Sequence, residues 1–95
     1  MKFEWDENKN RINQAKHGFD FADSFRIFNL PMLIQLDERE NYGEIRYFGI
    51  GLLYERVVVV IYTESKKNII RIISLRKALS QERKSYEQYL KNRLG

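Results

Sequence analysis

Few side chains in this 95-residue chain are suited to acid–base or phosphate chemistry, and their spacing sorts them into groups. The only histidine, His17, stands in the stretch QAKHGFDF (14–21), between Lys16 and Gly18. The apolar run NIIRIISLRK (68–77) is interrupted by Arg71, Ser74 and Arg76. Glu44 and Arg46 share strand parity with Phe48, and Glu64 ends the run RVVVVIYTE (56–64). An imidazole with an ordinary pKa of about 6.5 can give or take a proton near neutrality. A guanidinium matches two phosphate oxygens at once. Together such groups suit contact with a polyanion. Each also has a plainer reading. Lys16 and His17 suit the carbonyl end of a helix, where the macrodipole favours a cationic ring. Arginine stems lie over apolar surface with their heads in water or paired to acids. Ser74 has no assignable base and is no nucleophile signal by itself.

These residues have to be positioned by a small number of elements. KFEW (2–5) reads as a short strand, and Asp6 as the N-cap of a helix from Glu7 to about His17 that Gly18 stops. Ile12 and Ala15 are its inward stripe. Asp20 caps a second helix with Phe21, Ala22, Phe25 and Phe28 at helical spacing, ending before Pro31. MLIQL (32–36) reads as a strand, and DERENYGE (37–44) as a charged turn pivoting on Gly43. EIRYFGIG, RVVVVIYTE and NIIRIISLRK are successive antiparallel strands, and the middle one is apolar at both parities and so central. Ser80 caps a last helix with Tyr86, Tyr89 and Leu90 inward. The expected class is α+β: a small, mostly antiparallel sheet flanked by two N-terminal helices and one C-terminal helix. Strand alternation sends Arg71 to one face and Ser74 and Arg76 to the other, unless the strand is bulged.

Length restricts the chain to one domain, residues 1–95. Without cysteine there is no disulfide framework and no thiolate nucleophile, and one histidine makes a structural zinc site an unsuitable reading. No cofactor or metal is expected. The longest apolar run, VVVVIY (57–62), is too short to span a bilayer, and the first residues do not resemble a secretory signal. A cytoplasmic protein that does not engage membranes is expected. The balance of 17 Lys+Arg against 13 Asp+Glu gives a net charge of +4. The basic residues gather toward the C-terminus: beyond Lys66, only Glu82 and Glu87 oppose the lysines and arginines. Such a half suits a polyanion, or an acidic protein partner.

The stretch FEWDENKNRINQAKHGFDFADSFRIF (3–28) resembles the opening of the BrnT family, ribonuclease toxins of bacterial type II toxin–antitoxin modules. The resemblance rests on Phe3, Trp5, Asp6, Lys9, Asn13, the triplet Lys16-His17-Gly18, Phe21 and Phe28. It continues through Glu44, Arg46, Ile50-Gly51, VVVVIYTE, RIISLRKA and ERKSYE, to about Glu87. Two places depart from it: the turn at Leu52–Glu55 lacks the glycine–arginine character common there, and Leu79 and Gln81 stand where basic residues are frequent.

The resemblance implies a RelE-like fold and an endoribonuclease that arrests growth when free. It implies neutralisation by a cognate BrnA-like antitoxin, in a possible toxin–antitoxin heterotetramer that reaches operator DNA only through the antitoxin. RNA cleavage without a metal uses the ribose 2′-OH as the nucleophile. It needs proton transfer and positive charge around the phosphorus. His17, Arg46, Glu64 and Arg76 are the catalytic candidates, and Lys16, Arg71, Lys77 and Arg83 the substrate contacts. Burial of the basic C-terminal surface by the antitoxin is expected. The competing reading is a non-catalytic nucleic-acid-binding module or an antitoxin-bound co-repressor.

Overall fold

The computed structural model describes residues 1–94. The chain runs β1 (Lys2–Trp5), α1 (Glu7–His17), a 3₁₀ turn (Phe21–Asp23), α2 (Phe25–Phe28), β2 (Leu33–Leu36), β3 (Tyr47–Leu53), β4 (Arg56–Lys66), β5 (Ile69–Lys77) and α3 (Ser80–Leu94). The strands form one sheet in the order β1-β5-β4-β3-β2. β1 runs parallel to β5, and the other neighbours are antiparallel. The expected α+β class holds, as does the central place of the doubly apolar strand, now β4.

Two apolar clusters lie on opposite faces of the sheet. On the back face, Val58, Val60, Tyr62, Ile70, Ile72 and Leu75 pack with Phe21 and Ile27, with Phe3, Trp5, Phe28 and Met32 closing around them. On the front face, Ile50, Val59 and Ile61 pack with Ala78 and Tyr86, and Phe48, Leu52, Ile73, Tyr89 and Leu90 adjoin them. α3 closes part of this front face, and its Tyr86 hydroxyl donates to the carbonyl of Pro31 at 2.7 Å.

The short segment before β2 approaches β3 closely because β3 carries glycine there. A Cβ at Gly49 would meet Met32 Cε at 2.5 Å, and one at Gly51 would meet Ile27 Cγ2 at 2.7 Å. The β3–β4 hairpin turns on Tyr54 (φ 49°) and Glu55 (φ 69°), both left-handed, as a two-residue turn that matches strand twist requires.

Three local expectations are revised. α1 does not bury Ile12, which is 65% exposed, or Ala15; it buries Asn10 and Asn13. Each satisfies backbone that would otherwise be orphaned. Asn10 accepts from Phe21 N–H and donates to Asp20. Asn13 accepts from Leu75 N–H at 3.2 Å and donates to Leu75 O at 2.8 Å and to Phe19 O. β1 pairs with β5 only as far as Ile72, so Asn13 supplies the ladder bonds that a longer β1 would have made. The second helix is broken into the 3₁₀ turn and a single α turn, leaving Phe25 41% exposed while Phe21 and Ile27 are buried. Ser80 lies inside α3. Its preceding residue, Leu79, gives its N–H to Glu82 and accepts from Arg83 N–H with its carbonyl, so Glu82 closes the helix start.

Candidate active site

β5 carries a bulge. Ile61 lies opposite Ser74, but Tyr62 lies opposite Ile72, so Ile73 is an extra residue. Ile73 packs into the front cluster, while Ile70, Ile72 and Leu75 belong to the back one. Simple alternation would separate Arg71 from Arg76. The inserted residue restores phase and returns both to the front face. There Arg71 stands opposite Thr63 and beside Glu4, 3.9 Å away, and Arg76 stands opposite Val59.

The front face is therefore a set of rows across the strands. Gln35, Phe48, Ile61 and Ser74 make one row, and Leu33, Ile50, Val59 and Arg76 the next. Arg46, one residue before β3, continues the parity of Phe48 at the end where Thr63 donates to Ile45 O at 2.6 Å. The Arg46 guanidinium lies 3.9 Å from the centre of the Tyr42 ring and pairs with Glu44 at 3.1 Å. That loop is shaped by Asp37, which accepts from both Arg39 and Tyr42.

α1 brings the histidine to the same region. Lys16 and His17 line a small cleft with Asn13, Ile73 and Ser74. The Gly18 left-handed stop is formed by backbone, its N–H donating to Gln14 O. The cationic ring expected at a helix end is not favoured here: partial burial holds the His17 pKa below 6.5, and the charges of Lys16 and then Arg76 add to that. Thus His17 and Arg76 are close enough to feel one another, and His17 is biased to the neutral form.

Arg76 is held firmly. Its Nη1 and Nη2 donate to the two carboxylate oxygens of Glu82 at 2.8 and 2.9 Å, and Nη1 also reaches Lys77 O. The Arg76 hydrogen bonds, helped by Leu79 N–H, hold the Glu82 carboxyl below the usual range. The guanidinium stands 5.9 Å from the centre of the Phe48 ring.

Of the residues singled out from the sequence, Lys16 and His17 share the cleft beside Ser74, and Arg76, Arg71 and Arg46 lie along the same face of the sheet. Glu64 does not join them: it stands opposite Ile70, and its charge acts on Tyr62, whose burial on the back face pushes its pKa up to about 12. Lys77 is exposed opposite Val58, and Arg83 is exposed in the first turn of α3. In the sequence Glu82 reads only as one of two acids in a basic half. The signal that could have found it is its place three residues after the helix start, where a glutamate reaches back to free backbone.

A small basic α+β domain with a histidine cleft and arginines on one open sheet face is built to meet an anionic phosphodiester. Residues 5–82 match the family described as the ribonuclease toxin, BrnT, of type II toxin–antitoxin systems, and the chain belongs to that family. Its structure is similar to the 1.1 Å crystal structure of the Brucella abortus ribonuclease toxin BrnT, with a TM-score of 0.65 and 32% identity, covering 84% of this chain and 99% of that one. No curated protein sequence matches the chain.

Proposed function

We propose that this chain is an endoribonuclease that cleaves RNA without a metal, by attack of the ribose 2′-OH on the adjacent phosphorus. Neutral His17 takes the 2′-OH proton. Arg76, with Arg71 and Arg46 along the face, meets the charge that grows on the phosphoryl oxygens, and Lys16 holds the phosphate from the helix side. Breaking the P–O5′ bond leaves a 2′,3′-cyclic phosphate and a 5′-OH, whose proton comes from the imidazolium just formed or from water. Glu82 keeps the Arg76 fork in one orientation, so little side-chain freedom is lost when phosphate arrives.

The observation that carries this reading is the bulge at Ile73, which puts Arg71 on the face of Arg76, while Ile73 and Ser74 line the His17 cleft. The partner proposed is a BrnA-like antitoxin, covering this open basic face in a heterotetramer in the cytoplasm. Such a fold is of the RelE-like type. The test is a gel assay of antitoxin-free protein on RNA in EDTA, with end-group analysis. Cyclic phosphate ends, lost in His17→Ala and Arg76→Ala, are expected. Intact RNA with binding retained would leave the non-catalytic module or co-repressor reading instead, and 3′-OH ends would overturn the 2′-OH mechanism.

A further inference from the structure

Beside Arg76, between the start of α3 and the strands β2 and β3, lies a concavity of about 320 Å³ that the proposed chemistry does not use. Phe48 and Ile50 form its floor, Leu79 an apolar wall, and Gln35, Gln81 and Ser85 its polar rim, with Glu82 at the Arg76 side. Leu79 is 63% exposed, so its apolar face is open to a ligand. The rim offers two amides and the Ser85 hydroxyl oxygen, whose proton goes to Gln81 O at 3.2 Å; all are uncharged, so it suits a neutral planar group with donors and acceptors on its edge. An aromatic floor gives that group a face to stack on.

We propose that this concavity is a nucleobase subsite, in which a base next to the scissile phosphate stacks on Phe48 and is read by Gln35, Gln81 and Ser85. The proposal rests on the ribonuclease reading above for its ligand, and adds a place for the base. Phosphate itself is disfavoured in this pocket, because the ionised Glu82 carboxylate lines it. Glu82 Oε1 already accepts from Arg76 and Leu79 N–H, whereas Oε2 accepts from Arg76 alone. Oε2 keeps a free lone pair for an N–H on the base edge. The same carboxylate thus ties the base pocket to the arginine that meets the phosphate. Single-stranded RNA is generally held by such pairing of aromatic stacking with a cationic backbone contact.

The test is binding of fully 2′-O-methylated oligoribonucleotides, which resist cleavage, followed by fluorescence anisotropy. One member carries every base, and the others each lack one base. For the wild-type protein, removal of one particular base weakens binding about tenfold. Phe48→Leu keeps an apolar side chain but loses the stacking face. It binds the intact strand about tenfold more weakly and no longer distinguishes the abasic one. Gln81→Ala, on the exposed rim, shows a smaller loss of the same discrimination and serves if Phe48→Leu does not fold. Equal binding of all abasic strands by the wild type, or unchanged discrimination in both variants, overturns the subsite. Absence of any binding to the intact strand overturns it as well. Failure of the wild type to cleave ordinary RNA, with the base-dependent binding intact, would remove the ribonuclease reading and leave the subsite standing.

Discussion

The two faces of the sheet are built from the same strands and do different things. The back face is closed: Phe21 and Ile27 are fully buried against Val58, Val60 and Leu75, and Phe3, Phe28 and Tyr62 pack ring to ring with centroids 5.2 and 5.0 Å apart. The front face is closed only where α3 lies on it. Beyond the first turn of α3 it presents Arg46, Phe48, Ser74, Arg71 and Arg76, none of them fully buried. In so small a domain the hydrophobic surface available is limited, and covering one face fully but the other only under α3 leaves part of the second face free to carry charge. A single extra residue, Ile73, decides how much charge that free part carries.

The largest effect should fall on the closed face. Phe21→Ala removes a fully buried ring and is expected to cost about 3–5 kcal/mol, enough to unfold a large share of a domain with a total of about 5–15 kcal/mol. Denaturant unfolding measures it, and activity should fall only in step with the folded fraction. On the open face Arg76→Ala should do the reverse. Its part-exposed pair with Glu82 contributes about 1 kcal/mol or less to stability, whereas losing a charge aimed at the transition state should lower kcat by roughly 10²–10³-fold. The comparison breaks if Arg76→Ala unfolds the protein, or if the folded remnant of Phe21→Ala is inactive.

Asn13 stands on the border between the regions and should show an intermediate effect. Asn13→Ala strands the N–H and C=O of Leu75, at a cost of about 1–3 kcal/mol. Asn13→Asp keeps the acceptor for Leu75 N–H but loses the donor. Native-state hydrogen exchange at the Leu75 amide should rise in the alanine variant and stay slower in the aspartate one. Equal exchange in both would mean that the helix, rather than the side chain, protects this edge.

Much of the fold could be read from periodicity. β4 is apolar at both parities and is central; Asp6 and Gly18 bound α1, as cap chemistry requires. The misreadings share a cause. Hydrophobic stripes identify a face only when the neighbour it meets is apolar, and α1 meets a bare strand edge that needs hydrogen bonds, so asparagines point inward and Ile12 outward. The bulge at Ile73 leaves no mark in a run of isoleucines, so the shared face of Arg71 and Arg76 was open from the sequence alone. Glu64 was legible as an acid at a strand end, but its face depends on parity counted from Tyr62. Residue types in the candidate site could be named from the sequence; their grouping depended on register.

The smallest and sharpest test concerns His17. If the open face makes a positive environment, the ring should titrate below 6.5, as partial burial, Lys16 and Arg76 all dictate. Lys16→Gln removes one of those charges without touching the ring, and should move the His17 pKa upward toward 6.5, measured by following its imidazole proton by NMR. The sign carries over to stability. Above pH 6.5 the ring is neutral folded or unfolded, and nothing is lost. As pH falls through 6.5 the unfolded chain binds a proton that the folded one refuses, so stability declines until the folded ring also titrates. Lys16→Gln should narrow that window, and the acid limb of kcat/KM should move up with the ring. A His17 pKa above 6.5 would mean that the helix end outweighs the basic face, and would make the histidine a proton donor near neutrality instead of the base.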